Sequence, residues 1–149
     1  MTSPPGASMR IQQVALIVTA VFTVCTVLAV FVNVMRPVTA VVSGVLFVVG
    51  CVAYLAGYAQ IVRRSRSDQI EVGGFVFLSG SAPRPIRQLL LGSTAVQTIV
   101  AVAGAGARPF TLLAFGILAP MFGLGLQALW ASRYGTFPKR GAATGGGQP

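Results

Sequence analysis

The chain has 149 residues, 54% hydrophobic and 9% charged, with 11 basic side chains, two acidic ones and no histidine. A soluble domain carries about 25% charged residues, and the mean hydropathy of +0.80 here leaves too little polar surface to cover a core in water. The net charge of +9 would point to nucleic acid on a soluble surface. Here the basic residues fall between long apolar runs, which argues for a membrane and against a nucleic-acid partner.

Four stretches contain no charged residue: Ile11–Met35, Pro37–Val62, Gln88–Ala107 and Pro109–Ser132, of 25, 26, 20 and 24 residues. A helix of about 20 residues crosses a bilayer core of about 30 Å. The pattern predicts an all-α polytopic membrane protein, with four transmembrane helices in two antiparallel hairpins. Four spans leave no room for a soluble domain with its own core.

Residues 1–10, with their Pro, Ser and Gly, are expected to form a flexible cytoplasmic N-terminus. Span one covers about 11–34 and carries Thr19, Thr23 and Thr26, whose hydroxyls can bond back to their own helix. Its apolar run exceeds a signal-peptide core, and no small-x-small cleavage site follows it. The short turn Asn33–Pro37 leads into span two, about 38–62, where Pro37 is suited to a first helical turn. Span two contains Gly44, Gly50, Ala53 and Gly57 and ends near Tyr58 and Gln60. The lipobox-like Val48-Val49-Gly50-Cys51 lies inside this span, where no lipid would be attached.

Residues 63–85 form the one sizeable connection. It holds Arg63, Arg64, Arg66, Asp68 and Glu71, then an apolar patch at Val72–Leu78 that either dips into the headgroups or packs beneath the bundle. Gly80, Pro83 and Pro85 break regular structure. Span three, about 86–107, ends in small residues, and Arg108-Pro109 makes a minimal turn. Span four, about 110–131, holds Gly116, Pro120, Gly123 and Gly125 and ends at the interfacial aromatics Trp130 and Tyr134. Residues 133–149 have too little apolar surface to order themselves and are expected to be a disordered cytoplasmic tail. The four spans make residues 11–132 one transmembrane domain.

With four spans, nine basic residues (10, 63, 64, 66, 84, 87, 133, 139 and 140) fall on one side and two (36 and 108) on the other. The positive-inside rule assigns the nine to the cytoplasm, with both termini there, in a cell membrane.

The chemistry is sparse. Asp68 and Glu71 are the only carboxylate side chains, and they sit among arginines, as ordinary surface charges do. No span carries an acid or base to relay protons or hold a cation, and the embedded glutamate of the four-helix multidrug exporters has no counterpart. Cys25 and Cys51 lie within spans, where thiols stay protonated and behave as small apolar groups. No further metal ligands accompany them. Gly104-Ala105-Gly106 and Gly73-Gly74 lack the companions of a phosphate loop. No catalytic residue, metal or cofactor is expected, and the protein reads as not an enzyme.

The remaining signals concern packing. Ala40/Gly44, Ala53/Gly57, Ala101/Ala105 and Ala119/Gly123 are small-xxx-small pairs that let helices approach closely. Pro120 lacks an N–H and frees the Gly116 carbonyl of its own helix. Gln97, at comparable depth in span three, is expected either to donate to that carbonyl or a neighbouring one, fixing a kink, or to bond within its own helix. Arg63, Arg64 and Arg66 are expected to touch anionic headgroups, each contact worth about 1 kcal/mol.

Ala119–Leu126 with Trp130 and Tyr134-Gly135-Thr136-Phe137-Pro138, together with Val72–Phe75 and Ser81–Pro83, resembles small uncharacterised four-span membrane proteins of actinobacteria. The resemblance covers the second half of the chain. It implies a bacterial cytoplasmic membrane and carries over no catalytic residues. The expected role is an accessory or scaffold subunit acting through helix packing with a membrane partner or with itself. The alternative is a small oligomeric channel or transporter, for which the Thr19–Thr23–Thr26 stripe would be the lining.

Overall fold

The computed structural model describes residues 5–65, 78 and 82–136. Four α-helices and one 3-10 segment follow in order: α1 (Pro5–Phe31), α2 (Met35–Arg64), α3 (Arg84–Ala107), the 3-10 segment Leu112–Leu118 and α4 (Pro120–Tyr134), with no strand among the described residues. Four helical segments, Ser8–Phe31, Met35–Arg63, Arg84–Ala107 and Leu112–Tyr134, are long and apolar enough to cross a membrane.

The helix ends follow from local chemistry. α1 begins at Pro5, not at the apolar boundary near residue 11. Residues 5–10, assigned by the sequence to the N-terminal stretch, belong to this helix, and residues 1–4 lie outside the described residues. Proline is suited to the first helical turn, where an absent N–H costs nothing. α2 starts two residues before Pro37, which therefore stands in its first turn. Between α1 and α2 the Met35 N–H donates to Val32 O at 3.0 Å and the Arg36 N–H to Asn33 O at 3.2 Å, closing a three-residue connection. α3 opens at Arg84 behind an extended Pro83, so Pro85, expected to break regular structure, instead stands in the first helical turn, where its absent N–H costs nothing.

The fourth span is not one kinked α-helix, as Pro120 had implied, but a 3-10 segment continued by an α-helix. Residue 120 has no N–H to give Gly116 O, so the Ala119 N–H takes that carbonyl at 3.0 Å and the ladder tightens to i→i+3. Thr111 caps the segment, accepting from the Leu113 N–H at 3.4 Å while its own hydroxyl donates to Arg108 O at 2.7 Å. The preceding Phe110 takes a left-handed φ of 61°.

The last span is the hub. Of its most apolar stretch 50% is buried inside the bundle, against 28%, 17% and 28% for the first three. The outward faces of α1, α2 and α3 present Val21, Val24, Leu28, Val41, Val45, Val48, Val52 and Ile99, all exposed. One core cluster joins Ala15, Ile61, Leu90, Trp130 and Leu78, and a second joins Phe22, Ala101 and Ala119. Of the apolar patch Val72–Leu78 only Leu78 is described. It is fully buried, at a left-handed φ of 55°, so burial of one leucine, worth about 1.5–3 kcal/mol, opposes a backbone cost of about 1–2 kcal/mol. For this residue, packing against the bundle is what occurs.

α2 reaches α4 backbone to backbone. A Cβ on Gly50 would lie 2.5 Å from Met121 O and 2.6 Å from Phe122 N, and one on Gly57 would lie 2.7 Å from the Ala128 carbonyl carbon. From the other side, a Cβ on Gly125 would overlap Gly50 O and stand 3.0 Å from Gly50 Cα. The hydrogen in that place points at the Gly50 carbonyl, an arrangement worth about 0.5–1 kcal/mol. Glycine is the only residue that admits this approach.

This contact gives a direct test. Gly50→Ala forces a methyl into the α4 backbone and is expected to destabilise the bundle by about 1–3 kcal/mol. Gly44 has nothing within 4 Å of its missing Cβ, so Gly44→Ala should stabilise by about 0.4–1 kcal/mol. Denaturant titration of both variants in mild detergent reads the difference, and equal effects would contradict the assigned packing.

Candidate functional site

Polar side chains inside the bundle link the helices in pairs. The Thr19 hydroxyl donates to Ala15 O at 2.7 Å, so its lone pairs are open, and they accept from Gln97 Nε2 at 2.8 Å, joining α1 to α3. Gln97 is 0% exposed. On the other side of α3 the Thr94 hydroxyl donates to Leu90 O at 3.0 Å and accepts from Gln127 Nε2 at 2.7 Å, and the same nitrogen reaches Leu90 O at 3.3 Å. These bonds join α3 to α4. The Ser132 hydroxyl shares its hydrogen between Gln60 Oε1 of α2 at 3.2 Å and Leu129 O of its own helix at 3.0 Å, and the Thr39 hydroxyl between Cys25 O of α1 at 3.2 Å and Met35 O of its own helix at 3.0 Å. Each link uses a Ser or Thr hydroxyl; Thr19 and Thr94 donate to a carbonyl of their own helix and accept from a glutamine of the neighbour, so both partners are met together.

Several expectations change here. Gln97 does not donate to Gly116 O, which the Ala119 N–H occupies, nor does it bond within its own helix. Its amide crosses to α1 because that is where its face of α3 points. Pro120 opens α4 and Gly116 is buried against Phe22, so both shape the break in the last span without a polar partner from α3. Gly57 packs as described above, and Gly123 leaves room for Thr94, whose Oγ1 and Cβ would overlap a side chain there. A Cβ on Gly44 would meet nothing, and the glycines of α2 that meet another helix are Gly50 and Gly57, seven apart. Thr19 and Thr26 are 8% and 2% exposed, so two of the three threonines that would line an oligomeric pore face the interior of one copy.

Gln127 and Thr94 were not legible as a pair. The available signal was their matching depth, Gln127 one helical turn before Trp130 and Thr94 one turn after Leu90. Buried polar atoms without a partner among the described residues are Thr26 Oγ1, Gln97 Oε1, Gln127 Oε1 and Trp130 Nε1. Cys25 and Cys51 are free thiols. The Thr39–Cys25 bond sets the register of α2 on α1, and Cys51 lies 12 residues further along, about 18 Å of helix, too far for a disulfide. Among the described residues no three His, Cys, Asp or Glu side chains gather into a metal-binding group. Asp68, Glu71, Gly73 and Gly74 lie outside those residues.

The arginines collect at one end. Ile61, Leu90, Trp130 and Ala15 share a core cluster, which brings together the start of α1, the end of α2, the start of α3 and the end of α4. Arg10, Arg63, Arg84 and Arg133 are exposed there and Arg87 is half-buried, while Arg64 closes α2. Arg66 lies outside the described residues. The guanidiniums of Arg10, Arg63, Arg84, Arg87 and Arg133 have no partner among the described residues. The whole chain offers two acidic side chains, too few to pair with these five. At the opposite end Arg36 Nε donates to Ala29 O at 3.4 Å, and Arg108 is exposed.

No protein-family model, curated protein or solved structure matches this chain.

The Thr19–Gln97 bond can be isolated by a double-mutant cycle on Thr19→Val and Gln97→Leu. A coupling of about 1 kcal/mol is expected, measured by unfolding in detergent. A cycle pairing Gln97→Leu with Pro120→Ala should show none, and the reverse pattern would restore the contact with the proline break.

Proposed function

We propose that the chain crosses a bacterial cytoplasmic membrane four times as two antiparallel hairpins, and that it acts there as an accessory or scaffold subunit. In this reading the segment before α1, the 63–85 connection and the segment after α4 lie in the cytoplasm, and Arg63, Arg64 and Arg66 contact anionic headgroups. The chain works by helix packing, with a larger membrane protein or with further copies of itself, and not by chemistry on a substrate.

One observation carries the proposal. The interior of a single copy is closed by backbone contact at Gly50, Gly57 and Gly125, while the outward faces of α1, α2 and α3 stay apolar and unoccupied. A surface of that kind is stable against lipid or against another apolar helix, not against water. The basic end supports the orientation through the positive-inside rule.

Reporter fusions placed before α1 and after α4 are expected to report the cytoplasm together, and a split result would contradict the topology. Reconstituted alone in vesicles, the protein is expected to leave ion flux at the protein-free level, while cross-linking in native membranes yields one discrete complex. Flux well above that level would instead establish an oligomeric channel.

A further inference from the structure

The arginines at the basic end are not equivalent. Arg84, Arg87, Gln88 and Leu91 follow one another at i, i+3, i+4 and i+7 and form one stripe of α3. Together they line a cleft of about 350 Å³. Helical side chains tilt toward the N-terminus of their helix. At the start of α3 that tilt carries Arg84 and Arg87 outward, past the end of the apolar span. Arg63 and Arg133 stand at the C-terminal ends of α2 and α4, where the same tilt turns them back over the bundle.

Two forked cations therefore stand over a leucine four residues further along, about 6 Å deeper. Gln88, exposed beside them, adds a neutral donor and acceptor. The helix end contributes little itself, since Pro85 has no N–H and the Arg87 N–H is bonded to Pro83 O at 3.0 Å. The positive charge belongs to the two side chains, and neither has a partner among the described residues.

We infer that this cleft is a binding site for one anionic phospholipid, its phosphate between the Arg84 and Arg87 guanidiniums and its acyl chain descending past Leu91. Guanidinium forks match phosphate oxygens two at a time. Gln88 takes the headgroup hydroxyls that a zwitterionic lipid lacks, and the extra positive charge of a choline is repelled by the pair. The inference rests on the membrane reading above and adds to the headgroup contacts of Arg63, Arg64 and Arg66 one site built from other residues.

The test uses the full chain purified in mild detergent, with phosphatidylglycerol or phosphatidylcholine added in equal amounts and retention read by native mass spectrometry. Phosphatidylglycerol is expected to be retained in preference. The double variant Arg84→Gln/Arg87→Gln should lower its retention about 30-fold, and Gln88→Trp, which fills the cleft and alters no charge, should also abolish it. Arg10→Gln/Arg133→Gln removes the same charge from two other exposed positions at this end and should leave retention nearly unchanged. The site is overturned if the two cleft variants retain lipid like the parent, or if the control pair loses it equally. Displacement by excess inorganic phosphate would also overturn it, by showing a free-anion site. Were the membrane reading itself at fault, the chain would instead stay dispersed without detergent and retain neither lipid in any variant.

Discussion

The close approach of α2 to α4 is the constraint on which the rest of the bundle depends. At Gly50 and Gly125 two helix backbones meet with no side chain between them. In the membrane setting proposed above, the hydrophobic effect adds little between helices, and association rests on close van der Waals contact and short polar bonds. Once Gly50 sits against Met121 and Phe122, the rotation of α4 is set. Gln127 then turns toward Thr94, Gly123 makes room for the same threonine, and Ser132 reaches Gln60. The polar links follow from the glycine contact and each locks one more helix pair.

The break in the last span serves the same geometry. A 3-10 segment rises about 2.0 Å per residue against 1.5 Å in an α-helix, so Leu112–Leu118 covers depth with few residues before Pro120 opens α4. The buried arc of α4 is correspondingly dense, with Phe122, Leu126, Ala128, Trp130 and Ala131 all in the core. Outside this hub the helices turn their apolar side chains outward, which suits the membrane setting proposed above. Its basic end is poor in carboxylates, so its counter-charges must come from elsewhere, and phospholipid phosphates meet that need in the proposed setting.

How much of this could be read from the sequence depended on what each residue type reports. Charge-free runs marked all four spans because a single charge in an apolar helix is costly whatever the fold. Pro37 marked the start of α2 within two residues, since a missing N–H is a local fact, whereas Pro85 was read as a break and stands in the first turn of α3. The start of α1 at Pro5 was hidden, because the first turn of a helix need not be apolar. Pro120 announced a break but not its form, which depended on the Ala119 N–H taking the Gly116 carbonyl. The partner of Gln97 was hidden for a different reason. Spans apolar all the way round carry little record of which face points inward, and only the contacts among helices decide it. Gly50 and Gly57, seven apart, held the needed record, but at a spacing other than the four of the usual small-residue pair.

The most direct measurement is a carbon–carbon correlation by solid-state NMR on the protein in lipid bilayers, with glycine labelled at Cα. A cross-peak between Gly50 and Gly125 is expected, because a Cβ on Gly125 would stand 3.0 Å from Gly50 Cα. Helices packed through ordinary side chains lie about 8–10 Å apart. Absence of that cross-peak, under conditions where glycines within one helix correlate, would contradict the account.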